Sequence, residues 1–471
     1  MIRTAAEKIN RKIAFQITVA LGVFLALLFV PLPGGLPYQG QRVLAVVGLA
    51  VVLWITELVP AAVTGLLAVV LLAVFGGVDD IAVALSGFSS PVPYFLIGIL
   101  ALGLGVHKSG LADRGARVLL AWVGGSPRRL LSQMVISFVP MSLLLPSATT
   151  RNAILVHVYD NALDQWKVPS QDPLRKATTL ALGSLNRLAS TALLTGGQAP
   201  VAAAALLGGM GWGRWFVLLG MPYYLLLLAG GAVLFLWFRR GFRATMPAIS
   251  VAESVPWTGM EVRAAAIAGL TALLWFTDSW HHLHPAVPAL LALVLLMTPG
   301  IGFLTWSEFD RDAGWANFII MGTSLSLANA MMASGVAQWL ADGIELAASP
   351  VLDSPIAVLL AMMVASTGIR LVIPNIVGYL ALVMPVTMSL AATLGLNPLV
   401  CGLAVLVVGD ATLFYPAAGS ASIIAYARGA VGGGDIFRFG LAMNLVSYAV
   451  VAAVAVPWWS VVGEPLVLAG A

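Results

Sequence analysis

Three arginines and one aspartate stand in stretches otherwise built of Leu, Val, Ala, Gly and small polar residues: Arg151, Arg187, Arg370 and Asp410. A guanidinium is planar and permanently charged, and it grips a carboxylate or sulfate through two parallel hydrogen bonds. A charge inside an apolar segment is costly and marks an ion or substrate path by default. Arg151 ends the polar island Ser147-Ala148-Thr149-Thr150-Arg151, and Arg370 lies just before Pro374-Asn375. Both arginines are expected to contact an anionic cargo, with Ser147, Thr149 and Thr150 adding hydroxyls. A plainer reading stands beside this one: each arginine caps backbone carbonyls or pairs with an acid. Arg187 and Asp410 are 223 residues apart, with two roles open to them, a structural ion pair or proton carriage by Asp410.

The surroundings are those of a membrane. Of 471 residues, 60% are hydrophobic and 9% charged, against about 25% charged in soluble proteins. Apolar runs recur at 13–31, 43–57, 61–77, 92–106, 216–237, 264–276, 286–298, 355–368 and 440–461. A span takes about 20 mostly apolar residues. The pattern predicts an all-α polytopic membrane protein with about 11 transmembrane helices. The first run follows Arg3, Lys8, Arg11 and Lys12 without a small-residue cleavage site, so 1–40 reads as a retained N-terminal helix. The net charge of +4 comes from basic loops and does not form a nucleic-acid surface; the lone Cys401 forms no disulfide framework.

The chain also repeats itself. Residues 63–76 (VTGLLAVVLLAVFG) match 287–300 (VPALLALVLLMTPG) at eight of fourteen positions. Ser-Gly-Leu-Ala at 109 recurs as Ser-Gly-Val-Ala at 334, and Ser-Pro follows at 126 and 349. These matches delimit a first unit at 41–245 and a second at 255–471. Cytoplasmic loops are enriched in Lys and Arg. Placing the basic clusters inside accounts for 19 of the 24 basic residues and puts the N-terminus in the cytoplasm and the C-terminus outside. The segment at about 130–166 then has basic flanks at both ends, Lys108–Arg129 and Lys167–Lys176, both inside, and is too short for two full spans. It reads as a re-entrant hairpin with Ser147–Arg151 at its tip. Its counterpart at about 351–392 enters from the other face, with Pro374-Asn375 at the tip. Opposed hairpins of this kind mark an inverted-repeat transporter with its site near the bilayer midplane.

Two further breaks interrupt helices, TGGQAP at 195–200 and YPAAGSAS at 415–422. Non-helical backbone inside a membrane must be buried or line a wet cavity. A broken helix exposes N–H groups that bind anions at the next half-helix start, and C=O groups that bind cations. Gly197, Gln198, Gly419, Ser420 and Asn375 thus join the candidate substrate contacts. Ser147, Thr149, Asn375 and Asp410 are the candidates for ion coupling. The stretch His281-His282-Leu283-His284 has metal-ligating types but no partner cluster, so no metal site is expected. No H-E-x-x-H or G-x-S-x-G occurs to support an enzyme, and no nucleotide-binding loop to power a pump. A channel suits paired hairpins less well than alternating access does.

On these residues the chain resembles the divalent anion:sodium symporters, carriers of dicarboxylates, citrate and sulfate. The likeness runs from TELVPAAVTGLL (56–67) to GDIFRFGLAMNLV (434–446). The resemblance places Ser147, Ala148 and Thr149 on the family's first Ser-Asn-Thr triplet, and Gly197–Pro200 and Gly419–Ser422 on its two helix turns. It also implies a homodimer whose transport domains slide like elevators, with sodium as the coupling ion. The chain departs from that pattern. Ala148 replaces the triplet's Asn, the second tip reads Pro374-Asn375-Ile376, and the turns lack their Thr-Pro pairs. A fixed guanidinium in place of sodium implies weak or no sodium dependence, with exchange or protons as the drive. The expectation is a cell-membrane carrier of a di- or tricarboxylate; the alternative is a carrier of sulfate or another inorganic oxyanion.

Overall fold

The computed structural model describes residues 2–145, 147–248, 256–348, 354–416 and 419–468, without the side chains of 2–10, 144, 347, 348 and 420. Pro146, Ser349, Pro350, Ala417 and Ala418, which belong to the motifs above, lie outside the described residues, as does the side chain of Ser420. The described residues are helical with connecting turns, apart from one isolated bridge between Leu396 and Val467.

An N-terminal helix, α1 (Ile2–Phe29), precedes two runs of elements in similar order, the short helix Ile81–Ala84 of the first standing where Trp306–Asp312 stands in the second. The first comprises α2 (Tyr38–Thr56), α3 (Ala61–Val74), α4 (Pro91–Ser109), α5 (Leu111–Ala121), α6 (Pro127–Leu144), α7 (Ala148–Gln165), α8 (173–191), α9 (Gln198–Leu206) and α10 (Trp212–Trp237). The second comprises α11 (Gly259–Phe276), α12 (Ala286–Met297), α13 (Trp306–Asp312), α14 (Trp315–Ala333), α15 (Val336–Ala348), α16 (Pro355–Val372), α17 (Ile376–Thr393), α18 (Pro398–Ala411), α19 (Ser420–Tyr426) and α20 (Gly433–Val461). Among the described residues nine helices are long and apolar enough to cross a membrane, and α3, α12 and α18 are shorter apolar helices.

The hairpins are α6–α7 and α16–α17. Each arm has 18 residues, or roughly 27 Å at 1.5 Å per residue. That is close to the hydrocarbon thickness of about 30 Å, so the arms are longer than the loop charges imply. The two hairpins start alike: Ser126 caps Arg129 N–H and Ser354 caps Ala357 N–H, each followed by a proline in the first turn. Proline fits there because the first helical N–H has no partner to lose. The structural counterpart of Ser126-Pro127 is therefore Ser354-Pro355, five residues beyond the Ser-Pro that the repeat points to.

Two apolar clusters organise the packing. One unites α1, α2 and α3 with Leu327, Ala330 and Met331 of α14, and the other holds the hairpins and most remaining helices. Helix α3 meets α14 at Gly65, where a Cβ would lie 2.1 Å from Thr323 Oγ1. Polar pins tie the two runs together. Asn152 Nδ2 donates to Leu182 O at 2.9 Å and Ala421 O at 2.8 Å, and Ser422 Oγ donates to Gly183 O at 2.7 Å. They lock the short α19 of the second run onto α7 and α8 of the first.

Candidate functional site

The two hairpin tips and the two helix breaks face a single cavity of about 750 Å³. At the first tip, Ser147 starts α7 by accepting a hydrogen bond from Thr150 N–H at 3.2 Å. At the second, Asn375 starts α17 by accepting from Val377 and Gly378 N–H at 2.9 and 3.3 Å. Helix α9 starts at Gly197 without any side-chain cap. Just before it the chain folds back so tightly that a Cβ on Gly196 would lie 1.6 Å from Ser190 O; only glycine fits. Three helix N-termini thus open on one space; Ser147 and Asn375 cap part of the first-turn N–H groups, and the remaining ones with the partial positive charge suit anions. Helix α19 also begins on the wall, at Gly419, but its seven residues add little dipole.

Of the expected contacts, Ser147, Thr149, Thr150, Gly197, Gln198, Asn375, Gly419 and Asp410 line the cavity. Arg151 and Arg370 do not. Arg151 is fully buried and donates from Nε to Asn186 Oδ1 at 2.8 Å, from Nη1 to Leu145 O at 2.5 Å and from Nη2 to Asn186 O at 3.0 Å. Arg370 donates to Ile373 O at 2.6 Å, Pro374 O at 2.8 Å and Gly409 O at 3.0 Å. The direct cargo contact expected of both gives way to the plainer reading. A hairpin tip turns its carbonyls away from helical partners, and a buried carbonyl must find a donor. The two clamps are pseudosymmetric. Each joins its tip to equivalent backbone positions, Asn186 and Gly409, although Arg151 follows its tip and Arg370 precedes the other.

The guanidinium that does reach the cavity is Arg187. It follows a π turn at Ala181–Leu185, and such turns recur at functional sites because they re-aim the residues after them. Arg187 Nε lies 3.3 Å from Asp410 Oδ1, and its Nη2 donates to the Asp410 backbone carbonyl. The ion pair open to these residues in the sequence is thus formed. It is incomplete: both Asp410 carboxylate oxygens and Arg187 Nε are buried without a hydrogen-bond partner. Ser190 and Thr191, one turn beyond Arg187, also line the cavity. Sequence reasoning missed them because Ser and Thr occur throughout the chain, although their helical spacing from Arg187 was a usable signal.

The opposite wall is of another kind. It is mostly apolar, with Leu53, Trp54 and Pro60 from α2–α3, Leu96 and Ile99 from α4, and Ile320 from α14, and it also carries Asp312 and Asn317. Exposed Glu57, at the end of α2, stands on this side in the left-handed conformation. The histidine stretch is local capping: His281 Nε2 meets Leu274 O at 2.8 Å, and His284 Nδ1 accepts from Ala286 N–H at 3.1 Å.

Duplicated helices, paired hairpins and broken helices around one polar cavity define a membrane transporter of the inverted-repeat class. The chain belongs to the family described as the sodium:sulfate symporter transmembrane region, whose profile matches residues 11–464. It is 22% identical to an L-tartrate/succinate antiporter of Shigella dysenteriae, over 94% of this chain and 97% of that protein. It is also 22% identical to a putative malate transporter of Bacillus subtilis, over 70% of this chain and 71% of that one. A membrane protein of Cupriavidus necator is 26% identical over 68% of this chain and 67% of its own length. Among solved structures, the YdaH transporter of Alcanivorax borkumensis superposes with a TM-score of 0.55 at 16% identity, covering 82% of this chain and 89% of that one. The MtrF efflux pump of Neisseria gonorrhoeae superposes with a TM-score of 0.52 at 15% identity, covering 90% and 97%. At such identities the likeness is one of fold.

Proposed function

We propose that this protein is a secondary carrier of small carboxylate dianions, working by alternating access. One observation carries the reading: three helix N-termini and the Arg187 guanidinium converge on one cavity. At the hairpin tips and helix breaks three arginines, Arg151, Arg187 and Arg370, stand against Asp410, while the acidic Glu57 and Asp312 line the other side of the cavity. That excess of positive charge favours a polyanion over a neutral or cationic cargo. Helix starts present N–H groups to carboxylates as readily as to sulfate, so charge alone does not select between them. The likeness to the tartrate/succinate antiporter and the putative malate transporter favours dicarboxylates; the sodium:sulfate symporter family keeps sulfate as the second reading.

The asymmetry of the walls supports an elevator-like movement. The polar wall is built on the hairpins and broken helices, and the facing wall, from α2–α4 and α14, is mostly apolar, with Glu57, Asp312 and Asn317 as its polar members. Smooth apolar surfaces slide past one another without breaking hydrogen bonds. We further propose a homodimer in the cell membrane, with the N-terminus cytoplasmic and the C-terminus outside.

The test is uptake of radiolabelled succinate, malate, citrate and sulfate into proteoliposomes, with and without sodium gradients, proton gradients and internal anion. Saturable dicarboxylate uptake that sulfate fails to compete supports the reading. Uptake of sulfate alone, or of none of these anions, overturns it.

A further inference from the structure

Asp410 is fully buried, yet its carboxylate oxygens receive no hydrogen bond. A buried carboxylate is tolerated only when it is paired and hydrogen-bonded. Asp410 has the pairing without the bonds, through Arg187 Nε at 3.3 Å. The groups that face it are few. Arg187 comes from α8, Arg370 from α16, Tyr379 from α17 and Tyr223 from α10. Two of these are engaged elsewhere: Arg370 Nε donates to Gly409 O and Tyr379 Oη to Val405 O. The buried Tyr223 hydroxyl faces the Asp410 carboxylate, although no hydrogen bond of good geometry joins them. Asp410 borders the cavity but is closed to water as it stands, behind Arg187, so a shift of that guanidinium is what would open the carboxylate to it.

Resting on the carrier reading above, we infer that Asp410 is a proton-binding site loaded by the anion, with Arg187 shared between Asp410 and the cargo. In the empty cavity Asp410 faces two guanidiniums, Arg187 and Arg370. An anion can take the edge of Arg187 turned away from Asp410 or pull the guanidinium across. Either way Asp410 loses part of its counter-charge and gains a negative neighbour. Two negative charges in one closed site repel, and a proton on Asp410 removes that repulsion. A proton from water then adds to Asp410, forming one O–H bond. By reciprocity, a proton on Asp410 tightens the anion by the same factor. Anion and proton thus enter the cavity together, and the Tyr223 hydroxyl is placed to hydrogen-bond the neutral carboxyl.

The experiment uses the purified full chain in detergent. Succinate is titrated calorimetrically at a series of pH values at which both its carboxyls are ionised, in two buffers of different ionisation enthalpy. Wild type is expected to take up a proton with each succinate, and its Kd to rise up to roughly tenfold per pH unit over the linked range. Asp410→Asn is expected to bind succinate without proton uptake and with a flat Kd. Wild-type binding without proton uptake at every pH overturns the inference and leaves the carrier reading intact. Equal proton uptake in Asp410→Asn also overturns it, by moving the proton elsewhere. If wild type binds no succinate, malate or citrate, the carrier reading fails first and the inference with it. If Asp410→Asn does not fold, the wild-type proton count decides alone.

Discussion

Replacing Arg151 with alanine separates two accounts of the polar island. Residue types alone make Arg151 a cargo contact, whereas the structure makes it the clamp of the first hairpin. Its three hydrogen bonds run to Asn186 Oδ1, Asn186 O and Leu145 O at 2.8, 3.0 and 2.5 Å. A hydrogen bond to a charged group contributes about 1.5–3 kcal/mol, so the three sum to roughly 4–9 kcal/mol before relief of the buried charge. Arg151→Ala leaves three neutral acceptors unpaired, at about 1–3 kcal/mol each, and also removes a buried charge, so the expected net loss is a few kcal/mol. The 14 tryptophans make intrinsic fluorescence during heating a direct assay. Arg151→Ala should lower the thermal midpoint by several degrees or abolish folding. Arg151→Lys should recover only part of the loss, because an ammonium cannot reproduce the planar fork. A folded Arg151→Ala protein with a wild-type midpoint and no anion binding would refute the clamp and return Arg151 to the cargo.

Three other outcomes follow from the same geometry. Gly196→Ala places a Cβ 1.6 Å from Ser190 O; overpacking costs about 1–3 kcal/mol or more, and transport should fall at least about tenfold in proteoliposomes. Lys108 and the capping Thr305 hold the Glu308 carboxyl down at about 2, against an ordinary 4.5. Its folded value is depressed, so its contribution is present above pH 4.5 and is lost as pH falls toward 2. The thermal midpoints of wild type and Glu308→Gln should therefore differ at pH 7 and converge on acidification. Finally, with the buried Cys401 replaced by alanine, Lys167→Cys should react with an impermeant maleimide only from the cytoplasmic face and Glu464→Cys only from outside. The reverse pattern would invert the proposed topology.

The sequence was most informative where a mechanism stood behind the pattern. Hydropathy, the repeat offset and the Gly/Pro punctuation located the two hairpins and the two breaks, because a membrane leaves few places for non-helical backbone. Arg187 and Asp410 were legible as an equivalent pair. What the sequence did not carry was direction. Arg151 and Arg370 sit beside their tips, but sequence spacing does not tell whether a guanidinium turns toward a cavity or back into its own loop's carbonyls. Arg187 had the opposite problem: it lies far from any tip in the sequence, and the π turn before it, which no residue type announces, accompanies its place on the cavity wall. Ser126-Pro127 shows a third limit. Its partner in the second run is set by helix-start chemistry at Ser354-Pro355, and a constant offset passes over insertions in the loop.

The Arg187–Asp410 pair joins equivalent positions of the two runs, and this bears on how the chain became what it is. Two identical halves folded in this way would set like against like at that point, two guanidiniums or two carboxylates a few ångströms apart in a dry interior. The exchange of one charge for its opposite is therefore a step that only a fused or already distinct pair of halves could take. A protein rebuilt from two copies of either half would meet that repulsion at its centre. The halves remain alike in outline, but at this contact they have become complementary and can no longer replace one another.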